Sequence, residues 1–331
     1  MMLILYGTIM VLTYDILLSV VGGLAGVYLL LSLFNVHWLT RLRTLGAILV
    51  GLILVGWLGW PLVRPMDPLG AICLVDGIVR PFNGLWLCVL GFAAGFVAYW
   101  TGYPQGLMTA PLAVPAGMSA WCFASGDMRS LLITNSTLSE RQKVFAALGW
   151  EGLFWLLPVI AGLLGVLAGW IVHRKQMPEL TLKKLSDDGK PLYILIAAAA
   201  SVVVVQILIS ILAQDVRQQD PQLGQVIGQP GKGQVAFAVF VSFLAAGYAI
   251  KYFTKTSYII PTLCAAIAVF LAMQYAASPA VAEQMTRNWA VAYFPKSICG
   301  ILPLQMVAFG ALGAFTGFQS AKKVMESPKQ A

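Results

Sequence analysis

Charge is what this sequence has least of. Only 10% of its 331 residues are Asp, Glu, Lys or Arg, against about 25% in soluble domains, and the segments between its apolar runs leave no room for a soluble domain. Histidine is nearly missing too. His37 and His173, the two present, both lie at ends of apolar runs, which excludes bis-His haem ligation within a membrane and HExxH zinc hydrolysis. GxSxG, P-loop and dinucleotide fingerprints are lacking as well. The five cysteines, Cys73, Cys88, Cys122, Cys264 and Cys299, are odd in number and show neither CxxC nor metal spacing. Packed thiols are expected, with one disulfide open to Cys73, Cys122 and Cys299, which map near one face. Neither catalysis nor a cofactor or metal is expected.

What fills the chain instead is apolar. Hydrophobic residues make up 59% and the mean hydropathy is +0.82. The apolar runs are about 20 residues long, the length a helix needs to cross a hydrocarbon core of about 30 Å, and they lack the alternating segments of about 10 residues that build a membrane barrel. The expected fold is all-α: a polytopic transmembrane bundle forming one integral membrane domain over 1–331. Spans are expected near 12–34, 44–63, 82–100, 105–124, 150–172, 191–213, 235–252, 258–276 and 298–318. Residues 1–34 lack the basic n-region and small-residue cleavage site of a signal peptide, and read as a retained first span.

Between the runs, local signals divide the chain. Pro61, Pro65, Pro68 and Pro81 keep 64–81 from spanning, and Asp76 and Arg80 within it have the spacing of a helical ion pair. Thr137 and Glu140 form a T-x-x-E capping box, so a helix starting there runs on into the span that contains Pro158. The Gln-rich segment 214–234 reads as a flexible aqueous loop. Over 278–296, Val281, Met285, Trp289 and Ala292 recur at helical spacing, which suits a helix lying on the membrane surface and stopped by Pro295.

The net charge of +8 reports topology rather than nucleic-acid binding, because the basic residues crowd short loops beside spans. With nine spans and the N-terminus outside, the inner segments hold twelve of the 21 Lys/Arg and four of the 13 Asp/Glu. The outer segments then come close to neutral. Cytoplasmic loops carry the Lys/Arg excess, so the C-terminus is placed in the cytoplasm, short interfacial helices on the outer face, and the chain in a bacterial-type inner membrane. If the fourth run turned back, the most basic loop, 173–190, would be translocated.

That fourth run, GYPQGLMTAPLAVPAGMSAWCFASG over 102–126, carries Pro104, Pro111 and Pro115. Each proline removes an amide donor and frees a carbonyl, which a membrane tolerates only where protein or water satisfies the backbone. Two readings follow. In the first, the broken span passes a small solute or ion, with Gln105, Thr109, Pro111, Pro115, Gln206 and Gln305 lining the path. In the second, the chain is a noncatalytic subunit or scaffold. Its outer loops, bearing Asp76, Arg80, Asp127, Arg129, Glu140, Arg141 and Glu151, dock membrane or periplasmic partners. The GxxxG pairs Gly22/Gly26, Gly91/Gly95, Gly165/Gly169 and Gly313/Gly317 are expected to pack helices within one subunit.

Overall fold

Helix ends fall where prolines and capping side chains place them. The computed structural model describes residues 37–67, 70–75, 79–174, 191–222, 224–254, 257–287, 294 and 296–326. Helix α1 covers Trp38–Val63 and α2 covers Pro81–Thr101, with Pro81 in its first turn, where a missing amide costs nothing. Helix α3 is Gly106–Ala124. The short α4, Met128–Thr134, is capped by Asp127, whose carboxylate accepts the Ser130 amide. The capping box then forms as the sequence demands: Thr137 N–H donates to Glu140 at 3.1 Å and Glu140 N–H to the Thr137 hydroxyl at 3.3 Å. It opens α5, Leu138–Arg174, one helix of 37 residues. There follow α6 (Pro191–Leu212), α7 (Lys232–Thr254), α8 (Ile259–Ala277), α9 (Pro279–Arg287) and α10 (Pro303–Glu326).

Among the described residues, seven helices are long and apolar enough to cross a membrane: α1, α2, α3, α5, α6, α7 and α8. The expected span 12–34 lies outside the described residues. The expected span 298–318 corresponds to α10, which has the length, at 24 residues, without being one of the seven. Its position explains that. Helix α10 packs on α3, α5, α7 and α8, and Leu304, Met306, Val307, Ala308, Ala311, Ala314 and Phe315 are all buried. A helix surrounded by helices needs small residues for close approach more than it needs a lipid-facing apolar surface.

Close contacts fix the direction of each helix. Gly51 and Gly56 of α1 meet Ala113 and Gly117 of α3, so these two run parallel. Gly91 and Gly95 of α2 meet Pro158 and Gly162 of α5, also parallel, whereas Gly149 and Gly152 meet Gln274 and Ala266 of α8 in the antiparallel sense. The eight long helices thus traverse the bundle alternately, and the two ends of α3 lie at opposite ends of it. Helix α3 runs the length of the bundle rather than turning back within it.

The break expected in α3 is present. An α-helical turn, Gly106–Thr109, leads into a 3₁₀ turn, Ala110–Leu112, and α-helix resumes over Ala113–Ala124. Pro111 disfavours α geometry in the residue before it and offers no amide. Alongside, α1 widens to a π-helix over Leu52–Trp57, and Trp121 of α3 donates its indole N–H to Gly56 O there at 2.8 Å.

One expectation needs correction. Segment 214–234 is not a flexible loop: β1 (Val216–Asp220) and β2 (Gly224–Gly228) pair antiparallel, with Val216 opposite Gly228 and Asp220 opposite Gly224. Its valines and isoleucine favour strand while Pro221 and Gly224 favour the turn, and glutamine does not oppose either. This hairpin is the one departure from helix among the regular elements described. The cysteines are packed thiols as expected: all five are free, the disulfide left open among Cys73, Cys122 and Cys299 is not formed, and Cys122 and Cys299 direct Sγ at the carbonyls of Met118 and Ala272.

Three of the four GxxxG pairs pack helices within the chain, as expected; Gly22 and Gly26 lie outside the described residues. A Cβ at Gly95 would overlap the Gly162 carbonyl, and one at Gly317 the Leu244 carbonyl. Gly95→Leu is therefore expected to lower stability in detergent by about 1–3 kcal/mol or more. Gly46→Ala, where an added Cβ meets nothing within 4 Å, should leave the melting temperature unchanged or slightly raised. Equal effects at the two sites would contradict this packing.

Candidate functional site

Tryptophans mark how far the bundle fills a membrane. Exposed aromatics gather toward its two ends, Trp57, Phe82, Trp86 and Trp150 at one and Trp38, Trp100, Tyr103 and Tyr252 at the other, the pattern of interfacial belts. On α5, Trp150 and Trp170 stand 20 residues apart, about 30 Å of helix and the thickness of a hydrocarbon core. Residues 138–149 carry α5 about 18 Å past Trp150. At that end, the described residues 64–67, 70–75 and 79–80, α4, the start of α5, the hairpin, α9 and 296–302 together form a cap.

The cap is braced by polar side chains that bind backbone on other segments. Ala71, Ile72 and Cys73 are buried, so the 70–75 segment enters the bundle with backbone amides that need acceptors. Glu151, only 1% exposed, accepts the Leu74 amide and lies 3.5 Å from the Trp155 indole nitrogen. Gly126 N–H donates to Gly70 O at 2.8 Å. Arg141, 4% exposed, donates to Met285 O at 2.9 Å and Asn135 O at 3.1 Å, fastening α9 and the α4 exit to α5. Arg129 Nε reaches Gln229 Oε1 at 2.7 Å, and Lys232 Nζ donates to the Ser125 and Phe123 carbonyls at the end of α3.

The outer polar residues singled out from sequence therefore do not converge on one constellation. Asp127 caps α4, Glu140 caps α5, Arg141 and Glu151 brace separate segments, and Arg80 is exposed just before α2. Asp76 lies outside the described residues. The candidate path residues are divided as well. Gln105 and Thr109 meet at the start of α3, where Thr109 Oγ1 is 3.4 Å from Gln105 O and Gln105 Oε1 is buried without a partner. Pro111 and Pro115 are buried in the body of α3, and Gln206 is half-buried on α6. Gln305 lies at the capped end, 2% exposed, its Oε1 accepting the Leu302 amide at 3.0 Å. The length of α3, about 28 Å, separates it from Gln105.

Sequence reasoning missed Lys232, Gln229 and Asp215. With Asp127, Arg129 and Gln305 they line a cavity of about 30 Å³ between the ends of α3, α7 and α10. One signal was readable: Lys232 is a lone cation at the very start of an apolar run, where it can reach a neighbouring helix end. Its partners come from residues more than 100 positions away, and spacing does not reveal them.

Comparison of the chain with family models, curated proteins and solved structures returned no match.

Glu151→Leu removes the acceptor for the buried Leu74 amide, a loss worth about 1–3 kcal/mol. Limited proteolysis of the variant is expected to cut within 64–80 faster than in the native chain. Unchanged cleavage would show that Glu151 does not hold this segment.

Proposed function

We propose that this chain is a noncatalytic multi-pass subunit of a bacterial-type inner membrane, and that its capped end is a preformed platform for a membrane or periplasmic protein. The observation that carries this reading is the bracing of the cap. Connections between packed elements commonly need only about 4–6 residues, yet here several longer ones are folded against each other and tied by buried Glu151 and Arg141. A surface stiffened before a partner arrives loses less entropy on binding. Charge sets the proposed orientation: the helix ends bearing Arg41, Arg43, Lys251, Lys322 and Lys323 gather opposite the cap, and a Lys/Arg excess favours the cytoplasmic side.

A second reading, passage of a small solute or ion along α3, is favoured by one specific observation. The broken α3 is the most enclosed of the seven candidate spans, 67% buried against 28% for the α6 span, and its broken region adjoins the π-helical stretch of α1. Irregular backbone at membrane depth recurs where transporters bind ions.

Purification in gentle detergent separates the two. The platform reading expects a stoichiometric protein partner that is lost when the exposed face of α9 is reversed by Glu283→Lys with Arg287→Glu, which leaves the braces intact. A lone, monodisperse chain that carries solute flux in liposomes, with flux abolished by Gln105→Ala, would overturn it in favour of transport.

A further inference from the structure

At the end of the bundle opposite the cap, the seam between α7 and α10 holds two lysines side by side. The two helices run parallel and close: Gly313 meets the Phe240 carbonyl, Gly317 the Leu244 carbonyl and Tyr248 amide, and Gly247 the Ala314 carbonyl. Carried one turn further, this register sets Lys251 level with Ala321 and Lys322. Ring contacts agree with it. Lys251 Nζ stands 5.1 Å from the centre of the Phe318 ring, and Tyr258 at the head of α8 meets the same ring at 5.4 Å. Lys322 follows Phe318 by one helical turn, on the same face. Lys323, beside it, is exposed. Like charges placed this way repel unless an anion joins them.

Each of the three lysines also has a contact within the chain; what this end lacks is negative charge. Among the described residues Glu326, the last of α10, is its one acid, and the others, from Asp67 to Glu283, lie in the cap. The two C-terminal dipoles add roughly half a negative charge each. Against Lys251, Lys322 and Lys323 that leaves about one positive charge over, which one phosphodiester neutralises. The surroundings favour a lipid phosphate over a free one. Tyr252, Phe253 and Val324 beside the lysines are 49%, 79% and 55% exposed, an apolar surface that suits glycerol and acyl chains. Basic pockets between membrane helices take anionic headgroups. We infer that this end of the α7–α10 seam binds the phosphodiester of one anionic phospholipid, with Lys251 and Lys322 as its cations. The site is independent of the platform reading, since it lies at the other end of the bundle.

The test uses the full chain in neutral detergent, with dioleoyl phosphatidylglycerol or dioleoyl phosphatidylcholine added as mixed micelles. The melting temperature is expected to rise saturably with the anionic lipid, as ligand linkage requires, and not with the zwitterionic one. Sodium phosphate at the same ionic strength should leave it unchanged. Lys251→Gln combined with Lys322→Gln should move the phosphatidylglycerol midpoint about tenfold higher. If that pair fails to fold, Lys322→Gln alone keeps the Phe318 ring contact and should move the midpoint about threefold. Arg43→Gln removes a charge from the same end, on α1, and should not shift it. Equal stabilisation by the two lipids, an equal rise with sodium phosphate, an unshifted midpoint in the folded lysine variant, or an equal shift in Arg43→Gln would overturn the assignment.

Discussion

One buried carboxylate ties the 70–75 segment of the capped end to the bundle. Glu151 sits one residue inside Trp150, at the edge of the tryptophan belt, and is almost wholly buried. An ionisable group at that position is costly unless its oxygens are bonded, and it is bonded to the Leu74 amide of a segment 77 residues earlier in the chain. The brace works in both directions. The amide compensates the carboxylate, and the carboxylate lets Ala71, Ile72 and Cys73 enter the core without stranding their backbone. From that anchor the cap extends through Gly70 to Gly126 and onward to α4.

Beneath the cap, two central helices govern the bundle in different ways. Helix α10 is accepted in the centre because glycine and alanine let α7 approach it closely, as where Gly313 meets Phe240 and Gly247 meets Ala314. Helix α3 is irregular, and its irregularity is matched by that of α1. Gly51 and Gly117 bring the two backbones together, and the Trp121 indole bonds to the π-helical Gly56 carbonyl. A proline-broken helix in a membrane demands neighbours able to close around it, and α1 meets that demand by widening rather than by adding polar side chains.

Much of this was legible in the sequence because its causes are local. Apolar run length gave the helices, Pro111 the break, Thr137 and Glu140 the start of α5, and the distribution of Lys and Arg separated the two ends. The cap was not legible, since its bonds join residues such as Arg141 and Met285 that no periodicity connects. The Gln-rich hairpin was misread because glutamine resembles loop composition, while strand pairing depends on a few β-branched residues and one turn. That Arg141 and Glu151 bind backbone of other segments, while Asp127 and Glu140 cap their own helices, required the tertiary contacts.

The claim on which this account rests is that the cap is folded, not merely connected. Hydrogen–deuterium exchange of the chain in lipid nanodiscs tests it most directly, at the amides of Leu74 and Gly126. Slow exchange at both, comparable to amides within the spans, is the predicted result. Exchange at the rate of an open loop would contradict it.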